Sequence, residues 1–222
     1  MKTGCIDMHC DTLMKAYFDH HDDLYERPGQ IDFKRMSEAG AMAQFFAIYM
    51  PTKEFIGQMG LSGDFEDDEY IARCSEIFET SIKAHPDVAA KACTARDIRA
   101  NFSKGLVSGV LAMEDGRAVG GKFDNIKAYY DLGVRALSLT WNFENCFGFP
   151  NSDDLVDMMK GLKPFGKEAI QYMQELACWW TCPTFPTEAS TTWLPSVQSP
   201  SLRPTPTPAA SLPTEGTSRT TS

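Results

Sequence analysis

At Leu176 the chain changes character, and that break limits what it can fold into more than any motif does. Residues 1–176 carry 28 Asp+Glu, 19 Lys+Arg, 15 of the 16 Gly and five Pro, the make-up of a globular domain. Residues 177–222 hold eight Pro, 18 Ser+Thr and three of the four Trp, with no Lys, Asp, Asn, Ile, Met, Tyr or His. A segment of that composition cannot bury enough apolar surface to offset the entropy of ordering it. Any core is therefore built by residues 1–176, a length that suits one large domain, and 177–222 reads as a disordered Pro/Ser/Thr-rich tail. The join is abrupt. Residues 171–176 are good helix formers, whereas Cys178, Trp179, Trp180 and Pro183 belong to neither a helix nor an ordinary linker.

Within 1–176, strand and helix patterns alternate. Residues 43–50 and 106–113 are mostly apolar runs, as expected of strands covered on both faces. Residues 4–10 and 134–140 read as two further strands. Helical spacing of Ile71, Cys74, Ile77, Phe78 and Ile82 predicts a helix over 67–84. Others are expected over 95–102 with Thr94 as cap, over 124–132 stopped by Gly133, and over 165–176 begun by Pro164. The implied fold class is α/β with a parallel sheet, open or closed into a barrel. About four βα units are visible, half of a (β/α)8 barrel. Polar residues gather just after the strands (His9 and Asp11, Glu114 and Asp115, Asn142 and Glu144), where βα-loops carry chemistry.

Charge and cysteines exclude some partners. A formal net charge of −9 disfavours nucleic-acid backbones and anionic membrane surfaces. No apolar run approaches the roughly 20 residues that span a bilayer, and Asp7 interrupts any signal-type apolar stretch at the N-terminus. Seven cysteines without CxxC pairs read as free thiols in a reducing compartment, so a cytoplasmic location is expected.

Three groups of residues could carry chemistry. On a strand Asp7, His9 and Asp11 would share a face opposite Met8 and Cys10. An imidazole beside a carboxylate suits a divalent ion such as zinc, and equally describes a strand-end histidine hydrogen-bonded to an acid. Glu114, ending an apolar strand, would stand at the same mouth with two oxygens able to bridge two cations, or would open a solvated loop. Asp19, His20, His21, Asp22 and Asp23 look metal-like in composition but read as a hydrated loop. Residues 116–121 lack a phosphate-loop lysine and read as a turn; residues 60–68 read as an acidic surface loop.

Taken together, residues 6–13 (IDMHCDTL), 44–49 (QFFAIY), 109–116 (GVLAMEDG), 130–142 (YDLGVRALSLTWN) and 161–168 (GLKPFGKE) resemble the membrane (renal) dipeptidase family of metallopeptidases, in its bacterial-type soluble branch. The resemblance implies the N-terminal part of a (β/α)8 hydrolase barrel with two zinc ions and a dipeptide substrate, homodimeric in intact members. It implies that His9 and Asp11 bind one zinc and that Glu114 bridges both. Trp141 and Asn142 would lie on the substrate side, Trp141 where renal-type enzymes place a histidine.

The resemblance also implies two further histidines, each in a Ser-His context, after Leu176. The last histidine here is His85. Reading the tail codons one base earlier forces Val then Asp from Trp180 and Thr181. The same register permits GMLVDVSHLSDGGFYDVA over 177–194 and VASHSNARS over 202–210, both resembling family blocks. The histidine codons then fall at Thr184 and Thr205. The expectation is thus a zinc dipeptidase barrel over 1–176 followed by a frameshifted tail over 177–222, poorly stable and nearly inactive. The rivals are a non-catalytic fragment or pseudoenzyme with a genuine linker, and another amidohydrolase-type metal-dependent hydrolase; the latter usually begins with His-x-His, against Asp11.

Overall fold

Two long apolar strands, β2 (Ala43–Tyr49) and β4 (Val107–Glu114), form the centre of the molecule. They run parallel from Ala43 opposite Ser108 to Tyr49 opposite Glu114, so their last residues stand side by side. In the computed structural model, which describes residues 4–60, 65–150, 156 and 160–181, four further strands join them. β1 (Ile6–Asp7) lies beside the start of β2, and β3 (Ala89–Lys91) beside residues 107–109 of β4. β5 (Val134–Ser138) takes over the same edge of β4 after a register shift at Leu111/Ala112, and β6 (Trp179–Thr181) pairs with β5. All pairings are parallel, in the order β1-β2-β4-β5-β6.

Parallel neighbours need crossovers, and helices supply them. They are α1 (Thr12–Phe18), α2 (Phe33–Glu38), α3 (Lys53–Gln58), α4 (Asp67–Ala84), α5 (Ala95–Ser103), α6 (Phe123–Leu132) and α7 (Pro164–Glu175), with a 3-10 turn at Gly116–Val119. Alternate strand residues face opposite ways. Phe46, Ile48, Leu111, Met113 and Leu137 pack outward into the main core with Leu13, Phe78 and Met173 from the helices. Phe45, Val110, Ala112 and Ala136 face inward and form a second, smaller cluster. The Phe45 ring stacks on Trp179 at 6.2 Å between centroids. These residues sit three strands apart, about 14 Å in a flat sheet, so the sheet curls into a half-barrel.

The helix expected over 67–84 is present over that length, and the Thr94 cap forms a capping box with Asp97. The strand expected over 4–10 shortens to Ile6–Asp7. Ile6 and Asp7 stand opposite Ala43 and Gln44, and beyond them the Cys10 carbonyl accepts from the Ala47 N–H at 3.0 Å before the chain begins α1. Helices α1, α2 and α3 and strands β3 and β6 are too short to announce themselves by periodicity. Past Leu176 the sheet gains β6, and Cys178 is buried beneath it. Residues 61–64 of the acidic loop and 182–222 of the tail lie outside the described residues.

Asp32 anchors the β1–β2 connection. Its carboxylate caps α2 by accepting from the Arg35 N–H at 2.8 Å, and also from Arg35 Nε at 2.7 Å and the Arg27 N–H at 3.4 Å. Burial would raise its pKa, but the Arg35 bonds outweigh it and hold the carboxyl below the ordinary value near 3.8. A depressed carboxylate stabilises the fold above its unfolded pKa, and that contribution is lost as pH falls through the folded pKa. Asp32→Asn is therefore expected to cost about 2 kcal/mol at pH 6. In urea melts, the gap between variant and parent should narrow below pH 3.8. A gap independent of pH would show that the carboxylate's charge does not matter.

Candidate metal centre

Glu114 closes β4 on the concave face, two residues beyond Ala112 of the inner cluster. Immediately after it the backbone turns through Asp115 at φ 68°, a left-handed conformation that is costly for a residue with a side chain. The Asp115 carboxylate offsets that strain. It accepts from the Arg117 N–H at 3.1 Å and from Asn145 Nδ2 at 2.8 Å. Arg117 in turn grips Asp67 with both terminal nitrogens, at 2.6 and 2.9 Å, and donates to the Pro51 carbonyl at 3.0 Å. The turn that aims Glu114 is thereby pinned to the start of α4 and the end of β2. Asn145 Nδ2 also donates to the Leu139 carbonyl, which fixes the loop after β5 against the same turn.

His9 and Asp11 reach the site from the loop between β1 and α1, and the shared strand face expected for Asp7, His9 and Asp11 ends at Asp7 because the strand does. Asp7 serves the loop itself, its Oδ1 accepting from the His9 N–H at 3.1 Å. Met8 is exposed and Cys10 buried, so these two do not share a face either. Asp11 stands at the N-cap of α1, where a carboxylate ordinarily accepts from a first-turn N–H. It makes no such bond. Its Oδ1 lies instead 3.2 Å from His9 Nε2, and Glu114 Oε2 lies 3.3 Å from that same nitrogen.

That convergence is the chemical content of the site. One imidazole N–H can serve only one acceptor well, yet two carboxylate oxygens point at it. The three donor atoms all lie within 4.8 Å of one another. The protein resists this arrangement electrostatically. Burial, reinforced by Asp11 and Asp115, pushes the Glu114 pKa up against the pull of His9. The hydrogen bond to Asp11, reinforced by Glu114 and Asp7, raises that of the exposed His9 against the cost of its partial desolvation. A set of one nitrogen and two carboxylate oxygens with unbalanced negative charge fits a divalent cation of the zinc type.

The other candidates separate. Trp141 stands at the mouth with its ring against Tyr49 at 5.0 Å and Phe55 at 5.6 Å; Asn142 is exposed. The acidic, histidine-containing stretch 19–23 is consumed by local contacts. Asp23 accepts from the Tyr25 N–H and pairs with His85 at 2.9 Å, His21 Nδ1 meets the Asp23 carbonyl, and Asp22 pairs with Arg73. Residues 116–119 form the 3-10 turn. Sequence reasoning missed two residues that shape the site, Asn145 and Tyr49. The one signal for Tyr49 was a hydroxyl at the end of a mostly apolar strand.

Comparisons with known proteins bear on the family and the fold. The sequence profile of a family described as membrane dipeptidase (peptidase family M19) matches residues 1–178. Dipeptidase aclJ of Aspergillus oryzae is 30% identical over 135 residues, which cover 60% of this chain and 31% of that protein. An uncharacterized dipeptidase of Schizosaccharomyces pombe, C3A11.10c, is 23% identical over 160 residues, 69% of this chain and 38% of that one. Among solved structures, a metallo peptidase from Rhodobacter sphaeroides liganded with a phosphinate mimic of L-Ala-D-Ala superposes with a TM-score of 0.69 at 19% identity, covering 86% of this chain and 61% of that one. Dipeptidase AC gives 0.68 at 20% identity, covering 86% and 59%. These likenesses establish the fold. The chain spans about a third of the length of the two dipeptidases and about three fifths of the solved structures.

Proposed function

The chain belongs to the membrane dipeptidase family, peptidase family M19, and from that premise we propose that it carries the N-terminal portion of a zinc dipeptidase site, with His9, Asp11 and Glu114 as metal ligands. The observation that carries the reading is the convergence of the Asp11 and Glu114 carboxylates on His9 Nε2. When bound, zinc polarises a carbonyl and lowers the pKa of water. The protein's own part is placement. Asp11, freed from capping, holds the imidazole, while Glu114 offers two oxygens from a rigid strand end. The Asp115–Arg117–Asp67 clamp keeps that strand end fixed, and Trp141 with Phe55 shields one side of the mouth from water. The substrate class is a dipeptide, as mimicked by the phosphinate bound to the Rhodobacter relative. The cysteines, free among the described residues, fit a reducing compartment such as the cytoplasm.

One feature favours the second reading, a non-catalytic product. No histidine follows His85, so the ligands for a second zinc are missing from 177–222. On this reading the chain holds one zinc and hydrolyses dipeptides poorly. Equilibrium dialysis against zinc, with an Ala-Ala hydrolysis assay on the same sample, tests both statements. One zinc per chain with little turnover is expected. Two zinc ions with full zinc-dependent turnover would refute the partial site, and no retained zinc would refute the ligand set.

A further inference from the structure

On the outer side of the half-barrel, where α1 packs against α4, lies a cavity of about 460 Å³. Its wall is aromatic. Tyr17 and Phe18, from the last turn of α1, and Phe65 stand 5.1 to 6.2 Å apart between ring centroids. Behind them the fully buried Tyr70 ring meets Tyr17 at 4.8 Å and Phe65 at 4.9 Å. These rings pack against the main core and not the inner cluster of the concave face, so the cavity lies apart from the His9–Asp11–Glu114 site.

Polar groups complete the lining, some occupied and some free. Arg73 is held between Asp22 and Glu76, so its charge is answered within the protein. Glu69 and the His20 imidazole also line the cavity, and neither side chain has a hydrogen bond or ion pair among the described residues. His20 is placed there at a conformational cost. Helix α1 ends in a Schellman turn, in which the His20 N–H donates to the Tyr17 carbonyl at 3.4 Å and the His21 N–H to the Ala16 carbonyl at 3.1 Å. That turn sets His20 at φ 51°, where glycine is the ordinary residue. Glycine would relieve the backbone, and the imidazole makes no internal hydrogen bond to offset the strain.

An aromatic wall with one free carboxylate and one free imidazole fits a small zwitterion. Rings take an apolar side chain, a carboxylate takes an ammonium group, and an imidazole N–H takes a carboxylate. We propose that this cavity binds a free amino acid with a large apolar side chain. Its ammonium group would sit on Glu69, its carboxylate on His20, and its side chain against Tyr17, Phe18 and Phe65. A purely cationic ligand leaves His20 without a role, and a purely anionic one faces the uncompensated charge of Glu69. The assignment is independent of the metal cluster and holds whether or not that cluster is catalytic.

The test is calorimetry on the full, zinc-free chain with three probes: L-phenylalanine, phenethylamine, which lacks the carboxylate, and hydrocinnamate, which lacks the ammonium group. Phenylalanine should bind at least about tenfold more tightly than either, as for one charge-assisted hydrogen bond. His20→Gly should weaken phenylalanine about tenfold, leave phenethylamine unchanged, and melt no lower than the parent because the left-handed turn is relieved. Glu69→Gln should weaken phenylalanine about tenfold without weakening hydrocinnamate. This variant removes an acid from the first turn of α4, so a slightly lower melting temperature is expected and affinity is its readout. Phenethylamine that binds as tightly as phenylalanine reduces the site to a cation pocket and overturns the proposal. No phenylalanine binding at millimolar concentration overturns it too. A His20→Gly chain that binds phenylalanine like the parent does the same, whatever its melting temperature.

Discussion

Replacing Glu114 with glutamine will weaken zinc binding by at least about 100-fold, more than the loss of an outer-shell partner to a metal ligand ordinarily costs. It will also raise the melting temperature of the metal-free protein. Both effects have one cause. Glu114 is largely buried beside two other carboxylates, and its negative charge is poorly compensated by a single imidazole. Such a group is destabilising without a cation and strongly attractive to one. Glutamine keeps the shape of the side chain while removing the charge and the anionic donor. Melting curves with and without zinc separate the two effects: the parent should gain stability from zinc in proportion to its occupancy, and the variant should gain almost none. Glutamine that bound zinc as tightly as glutamate would remove Glu114 from the ligand set.

The second large effect concerns the tail. A chain whose codons after Leu176 are brought back into register by one base should hydrolyse dipeptides on the order of 10³-fold faster than the chain as it stands, or more, given that losing one stabilising donor alone costs about 10²–10³. The restored register permits histidines at the positions of Thr184 and Thr205. Resequencing the gene across the codons for Leu176 and Ala177 is the companion measurement. If the register stands as given and the restored chain is no more active, the tail is a genuine linker and the second reading of the function prevails.

Much of the fold was legible because its signals are local and repeated. The apolar runs at 43–50 and 106–113 had to be buried strands, and the spacing of Ile71, Cys74, Ile77, Phe78 and Ile82 had to be a helix, since no other backbone buries those side chains together. Short elements were illegible for the complementary reason. β1 and β6 have two and three residues and exist through one neighbour each, β2 and β5. Helices α1 to α3 have six or seven residues, fewer than two turns.

For the site, sequence by itself determined which residue types were available: an imidazole and a carboxylate at His9 and Asp11, and a carboxylate at the end of the strand closing on Glu114. It also determined that no histidine follows His85. Only the tertiary structure decided that these become one cluster. His9 and Glu114 lie 105 positions apart in the chain and meet because β1, β2 and β4 pair in parallel, with their C-terminal ends on one side. Asp7, equally plausible on paper, is diverted to the His9 backbone, and the histidines at 21 and 85 are engaged by Asp23. The physical reason is range. Propensity and periodicity act over a few residues, whereas a metal site needs donor atoms from distant segments within a few ångströms. That proximity is set by strand register and by the clamp around Asp115, neither of which any single stretch of sequence encodes.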